Sequence, residues 1–163
     1  MNAIRKEMTY PHPPERVWKM LTTPRLLEMW LMQTESFEAK VGCRFRFRTK
    51  PAPGFDGIIH CEIVDATPPT RLAYTWASGK SRARPTLVTW TLHPDGTGTR
   101  LTLEHRGFRG VGGLLLRTML GRGWGHKLRD YVAILLDRMQ EVDDQASRVN
   151  TEGLLECEPQ TKH

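Results

Sequence analysis

The segment from Pro13 to Met32, PPERVWKMLTTPRLLEMWLM, constrains the fold of this chain more than any other. It predicts two short helices, because each half has proline near its start and apolar residues at helical spacing behind it. The residues before it, 2–10, alternate loosely in polarity and predict a first strand. Neither helix is long enough to be stable alone, so the pair must pack against another element.

Most of the chain between Ser36 and Phe108 predicts β-structure, since polar and apolar residues alternate with a period of two. Strands are expected at 36–39, 43–49, 57–67, 72–77, 88–92 and 101–105. Asp95 and Gly96 supply a hairpin turn between the last two strands. Because one side of each strand is polar, the pattern indicates an antiparallel sheet that is covered on a single face.

A helical pattern begins near Gly123 and closes the folded part of the chain. Its apolar stripe consists of Trp124, Leu128, Tyr131, Val132, Leu135, Met139 and Val142. About 18 residues at 1.5 Å each give a helix of roughly 27 Å, which can cover most of a six- or seven-stranded sheet. Residues 1–142 are therefore expected to form one domain, and residues 143–163 a flexible tail.

These elements together predict an internal cavity. A twisted sheet curled round a single helix leaves a hollow between its concave face and the helix. The two helices of 13–32 then fit at one end of the hollow and close it. By strand and helix phase, the residues expected to line it are Trp30, Phe45, Phe47, Tyr74, Trp76, Trp90, Leu103, His105, Leu128, Val132 and Leu135. The indole and phenol groups among them can line an apolar pocket and still orient a ligand.

His105 is the most informative polar residue of that set, because it shares the inward phase of Leu101 and Leu103. It is either a ligand contact or general base in the cavity, or a structural histidine bonded to a backbone carbonyl, which is the favoured interpretation. No hydrolase, zinc, nucleotide or EF-hand motif accompanies it. The sequence therefore predicts no metal and no cofactor.

The formal net charge of +6 is unevenly distributed along the chain. Residues 143–163 hold five acidic and two basic residues, a net charge of −3, which leaves +9 for residues 1–142. A basic body can attract anionic ligands or a nucleic-acid backbone, but solubility charge is the simpler interpretation, and no nucleic-acid partner is expected. No apolar run approaches the roughly 20 residues that span a bilayer, and the N-terminus, MNAIRKEMTY, lacks a signal-peptide pattern. These features predict a cytoplasmic protein without membrane insertion.

Three cysteines, Cys43, Cys61 and Cys157, make an odd count without a CxxC spacing. Neither a disulfide framework nor a zinc knuckle is therefore expected. Cys43 and Cys61 lie within strand patterns and are interpreted as small apolar core residues.

Four segments, taken in order, resemble the START-like superfamily, also called SRPBCC, which has the helix-grip fold of the birch-pollen allergen. They are PPERVWKMLTTPRLLEMW at 13–30, PPTRLAYTW at 68–76, VTWTLHPDGTGTRLTLEHRGF at 88–108 and GWGHKLRDYVAILL at 123–136. All but the first resemble words of the branch called activator of heat-shock-protein-ninety ATPase homologue-like. The likeness covers roughly residues 3–141. It implies an α+β helix-grip fold, in which a curved antiparallel sheet of six to seven strands surrounds a long C-terminal helix.

The resemblance also implies a small-molecule or lipid-binding protein with an internal hydrophobic cavity and a small hydrophobic or amphipathic partner. Two alternatives stay open: a cavity enzyme of the polyketide cyclase/dehydrase type, and an interaction module that activates a chaperone ATPase. Binding without catalysis is the preferred interpretation. The chain departs from the family pattern at 109–122, RGVGGLLLRTMLGR, where either an extra helical turn as a lid or an apolar patch for a homodimer is expected.

Overall fold

Strands and helices follow each other in the order that the sequence predicts. The computed structural model describes residues 3–79 and 84–139. The elements are β1 (Ala3–Tyr10), α1 (Pro14–Thr22), α2 (Pro24–Trp30), β2 (Gln33–Glu35), β3 (Arg44–Arg48), β4 (Ile58–Thr67), β5 (Arg71–Ser78), β6 (Thr86–Asp95), β7 (Gly98–Arg106) and α3 (Gly110–His126). The chain then forms a π-helix over Lys127–Val132 and is α-helical again over 133–139. Residues 110–139 are called the closing helix below.

The seven strands form one antiparallel sheet in the order β1-β7-β6-β5-β4-β3-β2. The predicted α+β helix-grip fold, with its sheet of six to seven strands, is therefore confirmed. The expected hairpin turn joins β6 and β7, where Asp95 pairs with Gly98. Gly96 has a φ of 58°, a left-handed conformation that such tight hairpins need and that glycine adopts without strain.

The prediction of a strand at 36–39 is wrong. The strand at this point is β2, which lies three residues earlier and pairs Gln33 with Arg48 of β3. Ser36 has a φ of 60°, and this left-handed turn ends the extended backbone just where the strand was expected to begin. The alternation of polar and apolar residues does not indicate this turn.

Alternation along the strands decides which side chains face the interior. Phe45 and Phe47 of β3 are buried, while the arginines between and beside them lie on the outer face. There Arg44 contacts Glu62 at 3.0 Å, and both Arg46 and Arg48 contact Glu35. Exposed ion pairs of this kind contribute little to stability, so the apolar face determines the register.

The pairing of β4 with β5 shifts between Ile63 and Asp65, which marks a β-bulge. The bulge follows His60 and Glu62, so it does not turn these two residues inward. Both stay on the outer face, as the simple alternation predicts.

The helix pair packs at one end of the sheet, where α1 contacts β6 and β7. Six of its side chains enter the core: Val17, Met20, Leu21, Leu26, Leu27 and Trp30. The Trp30 indole nitrogen donates to the Met20 carbonyl at 3.3 Å and links α2 to α1. Lys127 Nζ donates to the carbonyls of Trp30 and Leu31, each at 3.3 Å, at the C-terminal end of α2, where a cation is favourable.

The closing helix begins at Gly110 and not near Gly123, so the segment that departs from the family pattern, 109–122, is helical from its second residue onward. The predicted apolar stripe is also wrong at Tyr131, which is 49% exposed. A π-helix has more residues per turn than an α-helix, so it shifts the angular positions of the side chains that follow. Tyr131 therefore points outward, and Leu136 is buried in the stripe instead. Val142 and the predicted tail at 143–163 lie outside the described residues.

Tyr10 ties β1 to this π-helical segment. Its hydroxyl donates to the Leu128 carbonyl at 2.7 Å in a buried setting. A π-helical turn disturbs the ordinary bonding of backbone carbonyls, and a buried carbonyl needs a donor. The bond therefore fixes the middle of the closing helix against the edge strand.

Cysteine pairing differs from the expectation. Cys43 is disulfide-bonded, and Cys61 is buried and free. The placement of both cysteines in the apolar core is confirmed, with Cys43 3% and Cys61 5% exposed. The expectation that Cys43 is a free thiol is wrong.

Substitution of Gly98 tests the close approach of β7 to β1. A Cβ at Gly98 would overlap the Tyr10 carbonyl oxygen, whereas one at Gly112 on α3 would meet open space. We expect Gly98→Ala to lower the free energy of unfolding by about 1–3 kcal/mol, the usual cost of overpacking. The control Gly112→Ala is expected to raise it by about 0.5–1 kcal/mol through helix propensity. Equal effects of the two substitutions in urea denaturation would contradict this packing.

Candidate ligand-binding site

The interior between the concave sheet face and the closing helix holds all the residues predicted to line a cavity. Each of them is buried, and the most exposed is Trp76 at 8%. They are Trp30, Phe45, Phe47, Tyr74, Trp76, Trp90, Leu103, His105, Leu128, Val132 and Leu135. Whether they contact a ligand stays a prediction.

Aromatic rings occupy much of this interior. Trp124 of the closing helix contacts both Trp76 and Trp90, with ring centroids 5.5 Å apart in each pair. Trp30 of α2 meets Trp90 edge-on at 6.0 Å, and Phe47 meets Trp76 at 5.7 Å. These are ordinary aromatic packing distances. A molecule entering here must therefore displace rings.

His105 lies at the centre of a closed hydrogen-bond chain. The Trp124 indole N–H donates to His105 Nδ1 at 3.2 Å, so Nδ1 carries no proton and Nε2 does. Nε2 then donates to the Thr86 hydroxyl at 2.7 Å, and that hydroxyl donates to the Trp76 carbonyl at 3.0 Å. Both ring nitrogens are thus engaged by the protein. The expected backbone-carbonyl partner is reached only through Thr86.

Burial lowers the pKa of His105 to about 4, because the charged imidazolium would lose its hydration. The side chain is therefore neutral at pH 7, which suits the acceptor role of Nδ1. A general base needs a free lone pair within reach of the substrate proton. The lone pair on Nδ1 of His105 already accepts the indole N–H of Trp124. This geometry matches the interpretation of His105 as a structural residue.

Tyr74 forms a second buried link. Its hydroxyl accepts the indole N–H of Trp90 at 3.0 Å, and burial raises its pKa well above the ordinary value. Tyr74 and His105 bond to different tryptophans, so these two ionisable groups do not form an acid–base pair with each other. Each link instead satisfies a buried indole N–H and fixes a ring of the interior.

A separate groove of about 530 Å³ lies on the outer face of β3, β4 and β5. Its polar walls include Arg44, Arg46, His60, Glu62 and Thr75, with Pro85 at one side. The sequence predicts these arginines, His60 and Glu62 on the outer face of the sheet, and the strand register pairs Arg44 with Glu62 and Arg46 with His60. The groove itself is not predicted from the sequence. The paired charges suit water better than an apolar molecule.

Within residues 3–79 and 84–139, no group of three or more His, Cys, Asp or Glu side chains is placed to hold a metal ion. Among the helices of that same part of the chain, none is long and apolar enough to cross a membrane.

Comparison with known proteins identifies the family. The family model described as Activator of Hsp90 ATPase homolog 1-like protein matches residues 11–135. The chain belongs to this family. No curated protein matches the sequence significantly.

Solved structures share the fold. Protein MLL2253 from Mesorhizobium loti is 34% identical, with a TM-score of 0.73, over 83% of this chain and 97% of that one. CalU16 from Micromonospora echinospora is 21% identical, with a TM-score of 0.66, over 90% and 84% of the two chains. The Aha1 dimer from Colwellia psychrerythraea is 18% identical, with a TM-score of 0.66, over 80% and 93%. The last two likenesses concern the fold alone.

The buried His105 predicts a specific pH dependence of stability. The pKa is about 4 in the folded protein against an ordinary value of 6.5, so the unfolded chain takes up the proton first. The stabilisation is fully present above about pH 6.5 and is lost as the pH falls through 4. The loss amounts to about 3 kcal/mol.

Two measurements check this prediction. Imidazole NMR signals should titrate near pH 4 for His105. The pH dependence of the free energy of unfolding should flatten in His105→Gln and stay unchanged in the control His93→Gln, which alters an exposed side chain. Titration of His105 near 6.5 would contradict the closed hydrogen-bond chain.

Proposed function

We propose that this protein binds a small apolar or amphipathic molecule in the interior between the sheet and the closing helix. The observation that carries the proposal is the composition of that interior, where four tryptophans, two phenylalanines and Tyr74 face one another. Binding sites for small molecules are mostly apolar and aromatic, with a few placed polar groups. The family and its fold support the proposal without naming a ligand.

Trp76 is the proposed entry point. It is the most exposed of the predicted lining residues, and it stands beside Thr86 at the start of β6. Its ring contacts Phe47, His105 and Trp124 but is not held by a hydrogen bond of its own indole among the described contacts. Rotation of this ring would open a route into the interior, while the helix pair blocks the opposite end.

The two alternatives have less support from the geometry. Catalysis of the polyketide cyclase/dehydrase type needs a reactive acid or base in the interior, and both nitrogens of His105 are already engaged. Activation of a chaperone ATPase is suggested by the family description, but fold and family do not fix function. The Colwellia relative is a dimer, and a homodimer through 109–122 is an alternative for this chain.

NMR of the five tryptophan indole groups tests the proposal with 1-anilinonaphthalene-8-sulfonate as the probe. We expect saturable shifts of Trp76 and Trp124, because a molecule in the interior must contact or displace their rings. Trp18 on α1 is the internal control, since it lies only half-buried at the outer edge of the core. Shifts confined to Trp18, or none at saturating probe, would contradict binding in the interior.

A further inference from the structure

The first half of the closing helix exposes large apolar side chains to solvent. Leu115 and Met119 are 65% and 64% exposed, and Leu114 and Leu116 flank them on the same segment. These four side chains are called the α3 patch. Contiguous exposed apolar surface on a folded protein usually marks an interaction site.

The first half of α3 exposes side chains that an ordinary surface helix would bury. Gly113 is backed by Phe108, Gly121 faces Ile4 of β1, and Gly125 faces Lys6 of β1. The helix thus contacts the protein through glycines together with Leu120 and Trp124, and it presents Leu114, Leu115, Leu116 and Met119 to solvent. An amphipathic helix normally buries most of its large apolar side chains. Folding of the chain therefore does not explain the α3 patch.

The charge around the patch has one sign. Residues 105–129 contain six arginines and lysines and no aspartate or glutamate. Arg109 and Arg122 are exposed at the two ends of the patch. A partner must therefore offer both apolar surface and negative charge.

A second copy of this chain fits that requirement poorly. A two-fold contact places the same patch on both sides of the interface, so Arg122 of each copy would meet a segment that also lacks acidic residues. Like charges brought together in this way are unfavourable. An anionic bilayer surface offers apolar acyl chains beneath negative headgroups, which is the combination that basic apolar helices recognise.

We propose that α3 docks this protein onto the surface of an anionic lipid bilayer, with the α3 patch in the headgroup region and Arg109 and Arg122 on the lipid phosphates. The 17 residues of α3 give a length of about 25 Å, which lies along the surface and does not cross it. The proposal concerns the outer surface and is independent of a ligand in the interior.

Vesicle co-sedimentation of the full chain tests the proposal. We expect binding to vesicles of phosphatidylcholine with about 30% phosphatidylglycerol, weaker binding at high salt, and little binding to phosphatidylcholine alone. Leu115→Glu/Met119→Glu is expected to weaken the binding at least about tenfold, and Arg122→Gln about fivefold. The control Met29→Glu places a single glutamate outside the α3 patch, on a side chain of α2 that is 62% exposed, and it should bind like the unaltered protein.

Three results would overturn the proposal. The first is equal binding to anionic and neutral vesicles, and the second is an equal loss of binding in Met29→Glu. The third is a dimer in analytical ultracentrifugation that Leu115→Glu/Met119→Glu dissociates, without any vesicle binding by the unaltered protein. That last outcome would assign the α3 patch to a second copy of the chain.

Discussion

The cover that the closing helix forms over the concave face of the sheet is the interaction on which the rest of the structure depends. Trp124 carries much of it, because one indole contacts Trp76 and Trp90 and donates to His105. Tyr10 then holds the same helix by its π-helical segment. A sheet with one apolar face must bury that face. The helix pair and the interior rings are therefore positioned by the packing of the closing helix on the sheet.

Sequence reasoning reached the fold because the strongest signals were periodic. Phe45 and Phe47 alternate with arginines, and Trp124, Leu128 and Val132 repeat at helical spacing. It failed where a local backbone feature breaks the period. The left-handed Ser36 ends β2 early, and the π-helical turn rotates Tyr131 out of the stripe. The helix at 110–122 was not predicted because glycine has a low helix propensity. In the structure this helix packs along β1, a tertiary contact that the local sequence does not reveal.

The interior was also predictable as a set of inward residues, but not as a packing arrangement. Strand phase placed His105 among apolar neighbours, yet its donor Trp124 and its acceptor Thr86 lie 19 residues away on either side. Pairings of this kind arise from strand register and helix rotation together. They decide whether a histidine is reactive, and here they make it a rigid, neutral part of the interior. The chain therefore combines a closely packed aromatic interior with an outer helix whose leucines face solvent.

Native mass spectrometry of the protein purified from its own host tests the central claim most directly. We expect a one-to-one complex with a small apolar or amphipathic molecule, which is released when the protein unfolds and which shifts the Trp76 and Trp124 signals when it is added back. A polypeptide mass without any bound molecule, together with interior indole signals that no host lipid extract shifts, would contradict binding in the interior.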